Sequence, residues 1–140
     1  MSPGLGVALM MNNYFHDVAT ALLFASGAAL AIMLRAFERS GGPGARAYFL
    51  AIYRGMSRLA VLSIGWIVVG GIPRTLFYTR FEWANAAGRS QVPALVVKHV
   101  LMFALVAGGV VLWRNLRRQV AAIEAELGRE SGAAPQRASR

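Results

Sequence analysis

Apolar residues are concentrated in three long stretches, and arginine and glycine in the short segments between them. Residues 18–34 and 59–73 carry no charge, and residues 94–113, ALVVKHVLMFALVAGGVVLW, carry only a lysine beside a histidine. A helix of about 20 apolar residues crosses the roughly 30 Å of hydrocarbon in a bilayer. The pattern predicts an all-α fold, an integral membrane bundle of three transmembrane helices. These helices are expected at about residues 13–38, 45–80 and 92–125.

Glycine and proline mark the breaks between these helices. The sequence SGGPG at 40–44 separates the first two, and FEWANAAGRSQVP at 81–93 is expected to form a short loop before the third. GGIP at 70–73 is expected to kink the second helix. The predicted organisation is an outer N-terminal arm at 1–12, a transmembrane domain with a cytoplasmic helix extension at 13–127, and a disordered cytoplasmic tail at 128–140.

Positive charge is distributed unevenly between the two sides of the predicted bundle. One side carries Arg35, Arg39, Arg46, Arg54, Arg58, Arg114, Arg117 and Arg118. The other side carries Arg74, Arg80, Arg89 and Lys98. Cytoplasmic loops of membrane proteins hold the excess of arginine and lysine. We therefore predict a multi-pass protein of the bacterial inner (cytoplasmic) membrane, with its N-terminus outside and its C-terminus inside.

Composition narrows the class of protein further. Hydrophobic residues make up 56% of the chain and charged residues only 15%, so we assign the net charge of +9 to the flanks of membrane helices. In soluble domains about one quarter of the residues are charged. The expected partner is the lipid bilayer and not nucleic acid. The chain has no cysteine, which excludes disulfides, thiolate zinc sites, iron–sulfur clusters and c-type haem attachment.

The two histidines are predicted to lie at similar depth on the outer side of the bundle. His16 falls in the first turns of the first helix, and His99 about two turns into the third. Polar groups at membrane depth are costly and usually functional. Two neutral imidazoles on neighbouring helices can ligate a b-type haem, one on each face of the iron. Arg74 and Lys98 lie at the same end, where the haem propionates would point.

Two other interpretations stay open. Interfacial histidines often only hydrogen-bond to loops or water, and Lys98 then extends towards the lipid headgroups or pairs with Asp17. Alternatively, thioether and imidazole ligands together suit Cu(I). Met102 lies one turn beyond His99 on the same helix face. Copper is therefore the alternative metal.

Three segments carry a family resemblance. They are NNYFHDVATALLFASG at 12–27, RGMSRLAVLSIGWIVVGGI at 54–72 and FEWANAAGRSQVPALVVKHVLM at 81–102. The first opens a helix with a histidine beside aromatic residues, and the second leads from arginine to a small-residue turn. The third has a tryptophan-containing outer loop before a lysine-bearing helix. In these features the chain resembles the CopD-like and HemJ-like small haem-associated integral membrane proteins.

The resemblance implies haem b bound through His16, with Lys98 or His99 nearby. HemJ-type proteins oxidise protoporphyrinogen, and CopD-type proteins are linked to copper handling. An enzyme of this kind would be an oxidoreductase of the protoporphyrinogen-oxidase type. Because such bundles usually have four spans and this chain has three, a homo-oligomer or a larger membrane complex is expected to supply the missing wall.

The sequence thus favours a small inner-membrane haem b-binding protein in electron transfer or porphyrin redox chemistry. Its predicted metal ligands are His16 and His99, with Lys98 and Arg74 as further cofactor-binding residues. The redox chemistry would belong to the cofactor. The alternatives are a cofactor-free accessory subunit that stabilises a larger respiratory or transport complex, and a copper-handling membrane protein.

Overall fold

The computed structural model of the chain describes the backbone of residues 2–40 and 43–137, and the side chains of residues 2–39 and 44–129. The described backbone is helical and contains no strand. Its elements are α1 (Pro3–Ser40), α2 (Pro43–Phe77), a π-helical turn (Thr79–Trp83), α3 (Ala84–Gly88) and α4 (Val92–Arg137). The prediction of an all-α fold is confirmed.

Three of these helices are long and apolar enough to cross a membrane. The qualifying segments are Pro3–Arg39, Gly44–Phe77 and Val92–Arg129. At 1.5 Å per residue each is longer than the roughly 30 Å of hydrocarbon in a bilayer. The predicted three-span membrane architecture is confirmed, whereas the orientation with the N-terminus outside stays a prediction.

The first helix begins earlier than predicted. Ser2 precedes α1, and its hydroxyl oxygen accepts a hydrogen bond from the Leu5 amide at 3.4 Å, as an N-cap residue does. Pro3 suits the first turn because the N–H that proline lacks has no partner there in any helix. Residues 3–12, which were predicted to form an outer arm, are therefore the first turns of α1.

The connection between α2 and α4 is helical rather than a loop. The Trp83 amide donates to the Tyr78 carbonyl at 2.9 Å, the five-residue spacing of a π-helical turn. The alanine-rich α3 follows, since alanine has the highest helix propensity. It ends in a Schellman motif, in which Ser90 has a φ of 53° and the Gln91 amide donates to the Ala86 carbonyl at 2.8 Å. This compact turn returns the chain directly to α4.

The last helix continues past its predicted end, as far as Arg137. Its polar part stays packed against the other helices because Leu116 and Val120 recur on one buried face. Most of the segment predicted as a disordered tail, 128–140, is thus part of α4. Residues 138–140 lie outside the described residues.

Apolar and aromatic side chains join the three long helices at the end that holds the α1–α2 connection. We define the aromatic half of the bundle by Leu23, Leu30, Leu34, Phe49, Leu50, Tyr53, Ala60, Trp113, Leu116 and Val120. Tyr53 of α2 contacts Trp113 of α4, with ring centroids 5.9 Å apart. Trp113 Nε1 also donates to the Leu23 carbonyl of α1 at 3.1 Å. One indole ring therefore links all three helices.

Two glycines let α1 and α4 approach each other closely. A Cβ on Gly27 would lie 3.1 Å from Trp113 Nε1, and a Cβ on Gly109 would lie 3.0 Å from the Leu23 side chain. Helices in a membrane associate largely through van der Waals packing, which small residues at the contact permit. These two positions therefore set the spacing between α1 and α4.

The outward faces of α2 and α4 are apolar and exposed. Leu62 and Phe103, for example, are 71% and 74% exposed. In the most apolar window of α4 only 6% of the residues are buried. An apolar surface of this extent is unusual for a soluble monomer and suits contact with lipid chains. The faces are therefore consistent with three membrane spans.

Candidate functional site

Four charged side chains meet at the end of the bundle opposite the aromatic half. Arg74 of α2 contacts Asp17 of α1 at 2.8 Å and Glu82 of the π-helical turn at 3.0 Å. Lys98 of α4 contacts the second oxygen of Asp17 at 2.6 Å. Asp17, Arg74, Glu82 and Lys98 form what we call the ionic cluster, and the part of the bundle around them is the ionic half.

The ionic cluster balances its own charge. The side chains of Arg74 and Glu82 are only 10% and 9% exposed. A buried ion is tolerated where opposite charges and hydrogen bonds replace its lost hydration. Two cations here face two carboxylates, and Asn13 Nδ2 donates to Glu82 Oε1 at 2.6 Å. Lys98 in the apolar third span is therefore paired with Asp17. This pairing is one of the alternatives given in the sequence analysis.

A polar seam between α1 and α2 leads up to the cluster. Helix α2 continues through Pro73 to Phe77, but proline lacks the N–H that would bond to the preceding turn. Near this turn, Asn12 Nδ2 donates to the Gly70 carbonyl at 2.8 Å. A Cβ on Gly70 would lie 3.1 Å from Asn12 Oδ1, so glycine makes room for this contact. The GGIP segment of α2 thus contacts the polar side chain of Asn12 of α1.

Both ring nitrogens of His16 are occupied by protein groups. Its Nε2 lies 3.1 Å from the Ile67 carbonyl oxygen, and its Nδ1 lies 3.4 Å from a terminal nitrogen of Arg74. A carbonyl only accepts and a guanidinium only donates hydrogen bonds. Nε2 therefore carries the hydrogen and Nδ1 is the acceptor, so His16 is a neutral imidazole in a fixed tautomer.

His99 has a different arrangement. Its Nδ1 donates to the Leu95 carbonyl of the preceding turn at 2.7 Å. Its Nε2 lies 3.5 Å from Glu82 Oε2, longer than an ordinary hydrogen bond. Tyr78 packs edge-on against the ring, with centroids 5.4 Å apart. The ring is thus held in place through Nδ1, while Nε2 has only a distant carboxylate as a neighbour.

A cavity of about 470 Å³ between α1, α2 and α4 contains both histidines. Its polar end is lined by His16, Arg74, Tyr78 and His99. Its apolar part is lined by Ile67, Met102, Phe103 and Val106. The volume is in the range of small-molecule and cofactor sites. Because Phe103 is largely exposed, the cavity opens between α2 and α4 towards the surroundings of the bundle.

Three of the four predicted site residues lie at this cavity, namely His16, Arg74 and His99. Lys98 instead lines a separate, more polar cavity of about 350 Å³ beside Glu82. Both cavities border the ionic cluster, the first at Arg74 and the second at Glu82 and Lys98. The structure thus brings the predicted residues into one region, but Lys98 does not face the same space as the histidines.

Sequence reasoning missed the central role of Glu82 and the contribution of Asn13. A signal for Glu82 was present, because Asp17 and Glu82 are the only carboxylates predicted at this end of the bundle. Cations in apolar segments need such partners. No comparable signal pointed to Asn13, whose Oδ1 is buried without a hydrogen-bond partner among the described groups.

The donor set fits a haem better through His99 than through His16. Metal-binding histidines commonly donate their second ring N–H to a carbonyl or carboxylate, as His99 does. His16 would first have to release Ile67 or Arg74. Among the described side chains, no three from histidine, aspartate and glutamate come together as a metal-ion site.

No protein-family model, curated protein or solved structure matches the chain.

Proposed function

We propose that the protein is a small membrane haem b-binding protein that acts in electron transfer or porphyrin redox chemistry. The proposal rests on one observation. The only two histidines of the chain come from different transmembrane helices, and both line a single cavity. Histidine nitrogens hold haem b without covalent attachment, which suits a chain without cysteine. The apolar walls of the cavity suit a porphyrin ring.

In this proposal His99 is the residue that would principally hold the haem iron. Because its Nδ1–H is used by the Leu95 carbonyl, Nε2 is the nitrogen available to iron. The same hydrogen bond fixes the orientation of the ring. The edge-on contact with Tyr78 restricts rotation of the ring further. His99 is therefore prepared for ligation by contacts that do not involve the cofactor.

His16 is the second cofactor-binding residue. Ligation through its Nε2 requires the ring to release the Ile67 carbonyl, and ligation through Nδ1 requires Arg74 to move. A hydrogen bond of this kind contributes about 0.5–1.5 kcal/mol net, so its release weakens binding without preventing it. Haem binding should consequently depend more strongly on His99 than on His16.

The two cations have different roles in the proposal. Lys98 lines the separate cavity beside Glu82 and contacts Asp17, so it acts on the histidine cavity only through that carboxylate. Arg74 is enclosed by Asp17 and Glu82. Because Arg74 lines the polar end of the cavity that holds the histidines, we assign the propionate contact to Arg74, and to Lys98 the neutralisation of Asp17.

A bound haem b supplies one-electron redox chemistry. The chain itself supplies ligation, apolar walls that exclude water, and fixed charges at one end of the site. Exclusion of water strengthens the electrostatic effect of those charges, because the local dielectric constant is low. The proposal assigns no catalytic acid or base.

The test is a reduced-minus-oxidised visible spectrum of the full chain purified in mild detergent. Wild-type protein should show sharp b-type bands. The bands should be lost in His99→Ala and weakened or shifted in His16→Ala. Tyr78→Phe is the matched control, because it keeps the ring against His99 and removes only a hydroxyl. Bands of full strength in His99→Ala would refute the ligand assignment.

Copper is the alternative metal, and the position of Met102 in the same cavity favours it. The variant Met102→Leu keeps an apolar side chain of similar volume and removes the thioether. If the protein binds haem, the b-type bands should survive this substitution. If it binds Cu(I), metal content after anaerobic copper loading should fall in the variant and no b-type bands should be present in the wild type.

A second candidate function is that of a cofactor-free accessory subunit in a homo-oligomer or a larger respiratory or transport complex. The outward apolar faces of α2 and α4 and the opening between them favour it, since a partner helix would cover both. Light scattering of the protein extracted in mild detergent distinguishes the two functions. A stoichiometric partner with a flat visible spectrum supports the accessory role, and a lone monomer with b-type bands contradicts it.

A further inference from the structure

Two arginines on α2 lie one turn apart at the boundary between its polar and apolar parts. Arg54 and Arg58 are exposed, and the uncharged stretch 59–73 begins directly after them. Residues four apart lie on the same helix face. The next turn of this face presents Val61 and Leu62, which are 68% and 71% exposed. Charge and apolar surface thus follow each other along one face of a transmembrane helix.

These two arginines have no carboxylate within ion-pair distance among the described side chains, in contrast to Arg46 and Arg74 of the same helix. Arg46, two turns earlier on the same helix, contacts Glu126 of α4 at 3.5 Å. Arg74, at the other end of α2, is enclosed by two carboxylates. The guanidinium groups of Arg54 and Arg58 are therefore available to an external anion.

The side chains frame a shallow groove of about 620 Å³. Its lining is Arg54, Ser57, Arg58, Val61 and Leu62. The Ser57 hydroxyl donates to the Tyr53 carbonyl at 2.8 Å, so the two guanidinium groups are the free donors. Guanidinium groups bind phosphate oxygens in a two-pronged geometry. One end of the groove therefore suits a phosphate, and the other end suits a hydrocarbon chain.

We propose that this groove binds an anionic phospholipid, with the phosphate between Arg54 and Arg58 and an acyl chain along Val61 and Leu62. We infer a phospholipid because the two arginines precede the apolar side chains along the helix. A phospholipid likewise has its phosphate at the membrane surface and its acyl chains in the hydrocarbon region. Basic sites on the flanks of transmembrane helices attract anionic headgroups, by about 1 kcal/mol per arginine. The proposal is independent of the haem site, since none of its residues lines that cavity.

The test measures which phospholipid stays bound to the full chain. The protein is reconstituted in bilayers of phosphatidylcholine and phosphatidylglycerol in equal amounts, extracted in mild detergent, and examined by native mass spectrometry. Wild-type protein should retain phosphatidylglycerol in preference to phosphatidylcholine. The double variant Arg54→Gln/Arg58→Gln should lower that preference about thirtyfold.

The matched control is Arg117→Gln/Arg118→Gln on α4, which removes the same charge from two exposed positions. Consecutive residues of a helix point in different directions, so these two arginines do not form a paired site. It should keep the preference for phosphatidylglycerol. An unchanged preference in the α2 variant, or an equal loss in the control, would overturn the proposal. Displacement of the lipid by excess inorganic phosphate would also overturn it, because the site would then recognise phosphate alone. If the double variant does not fold, each single variant should give an intermediate loss.

Discussion

At one end of the bundle, Phe49 and Leu116 are each 1% exposed and fill the space between helices. At the other end, the side chain enclosed by the helices is Arg74, and its neighbours are two carboxylates. Aromatic rings join α2 to α4 in the aromatic half. In the ionic half, a cavity of about 470 Å³ lies between the same helices.

The two halves differ in how closely their side chains must pack to stabilise the bundle. Apolar packing stabilises a membrane bundle only where atoms touch, so the centre of the aromatic half is filled by buried side chains such as Phe49 and Leu116. Ion pairs fix the positions of α1, α2 and the π-helical turn through a few directed contacts. The ionic half can therefore be held in place and still contain a cavity with two histidines.

The largest effect is expected from breaking the ionic cluster. Arg74→Ala leaves the Asp17 and Glu82 carboxylates without their shared partner, and a buried charge left unpaired costs about 3–5 kcal/mol. Unfolding in mixed detergent micelles with increasing SDS, followed by circular dichroism, should show this loss. Arg80→Ala is the control, because Arg80 is exposed at the same end of the bundle. Equal stability of the two variants would show that the ionic cluster does not stabilise the fold.

In the aromatic half, the comparable change is Leu116→Ala. This side chain is fully buried in the core, so the cavity left by truncation should cost about 3 kcal/mol. The same unfolding measurement applies. Val111→Ala on the same helix is the control, because Val111 is 57% exposed. The haem spectrum should be unaffected in Leu116→Ala, since the substitution lies outside the ionic half.

A smaller effect is expected where α4 approaches α1. In Gly109→Ala the new methyl group would lie 3.0 Å from the Leu23 side chain, and the overpacking should cost about 1–2 kcal/mol. Gly65→Ala is the matched control, since a Cβ there meets nothing within 4 Å. The control should be neutral or more stable, because alanine favours the helix by up to about 1 kcal/mol over glycine. Equal destabilisation by both would show that close approach is not the cause.

The smallest effect should come from Lys98→Ala. Its side chain is 40% exposed, and Asp17 keeps its contact with Arg74 after the substitution. Partly exposed ion pairs contribute about 0.5 kcal/mol, so stability should change little. Haem affinity should also change little, because Lys98 lines a separate cavity from the two histidines. A titration of the purified variant with haem measures this, and an affinity far below that of Arg89→Ala would contradict the separation of the two cavities.

The three spans could be predicted from sequence because each apolar stretch is long enough to identify without tertiary information. The segment between residues 81 and 93 could not, since its polar and aromatic residues are typical of loops. It forms a π-helical turn and a short helix instead. This geometry brings Glu82 back onto Arg74, eight residues earlier. Spacing along a regular helix does not predict that contact.

For the histidines, too, only part of the arrangement could be predicted from the sequence. Their shared depth is a prediction from the topology, and in the structure both histidines line one cavity. Their different hydrogen bonds did not follow, because each depends on helix rotation and on carbonyl groups of a neighbouring turn or helix. The proposed preference for His99 over His16 as a ligand therefore rests on the hydrogen bonds in the structure and not on the sequence.

The central claim is that the ionic half holds a haem b between its histidines. The most direct measurement is the haem content of the full chain purified in mild detergent, from its reduced-minus-oxidised visible spectrum and a protein assay on the same sample. The account predicts sharp b-type bands and haem in equimolar amount with the protein. A flat spectrum from a sample with intact helical circular dichroism would contradict it.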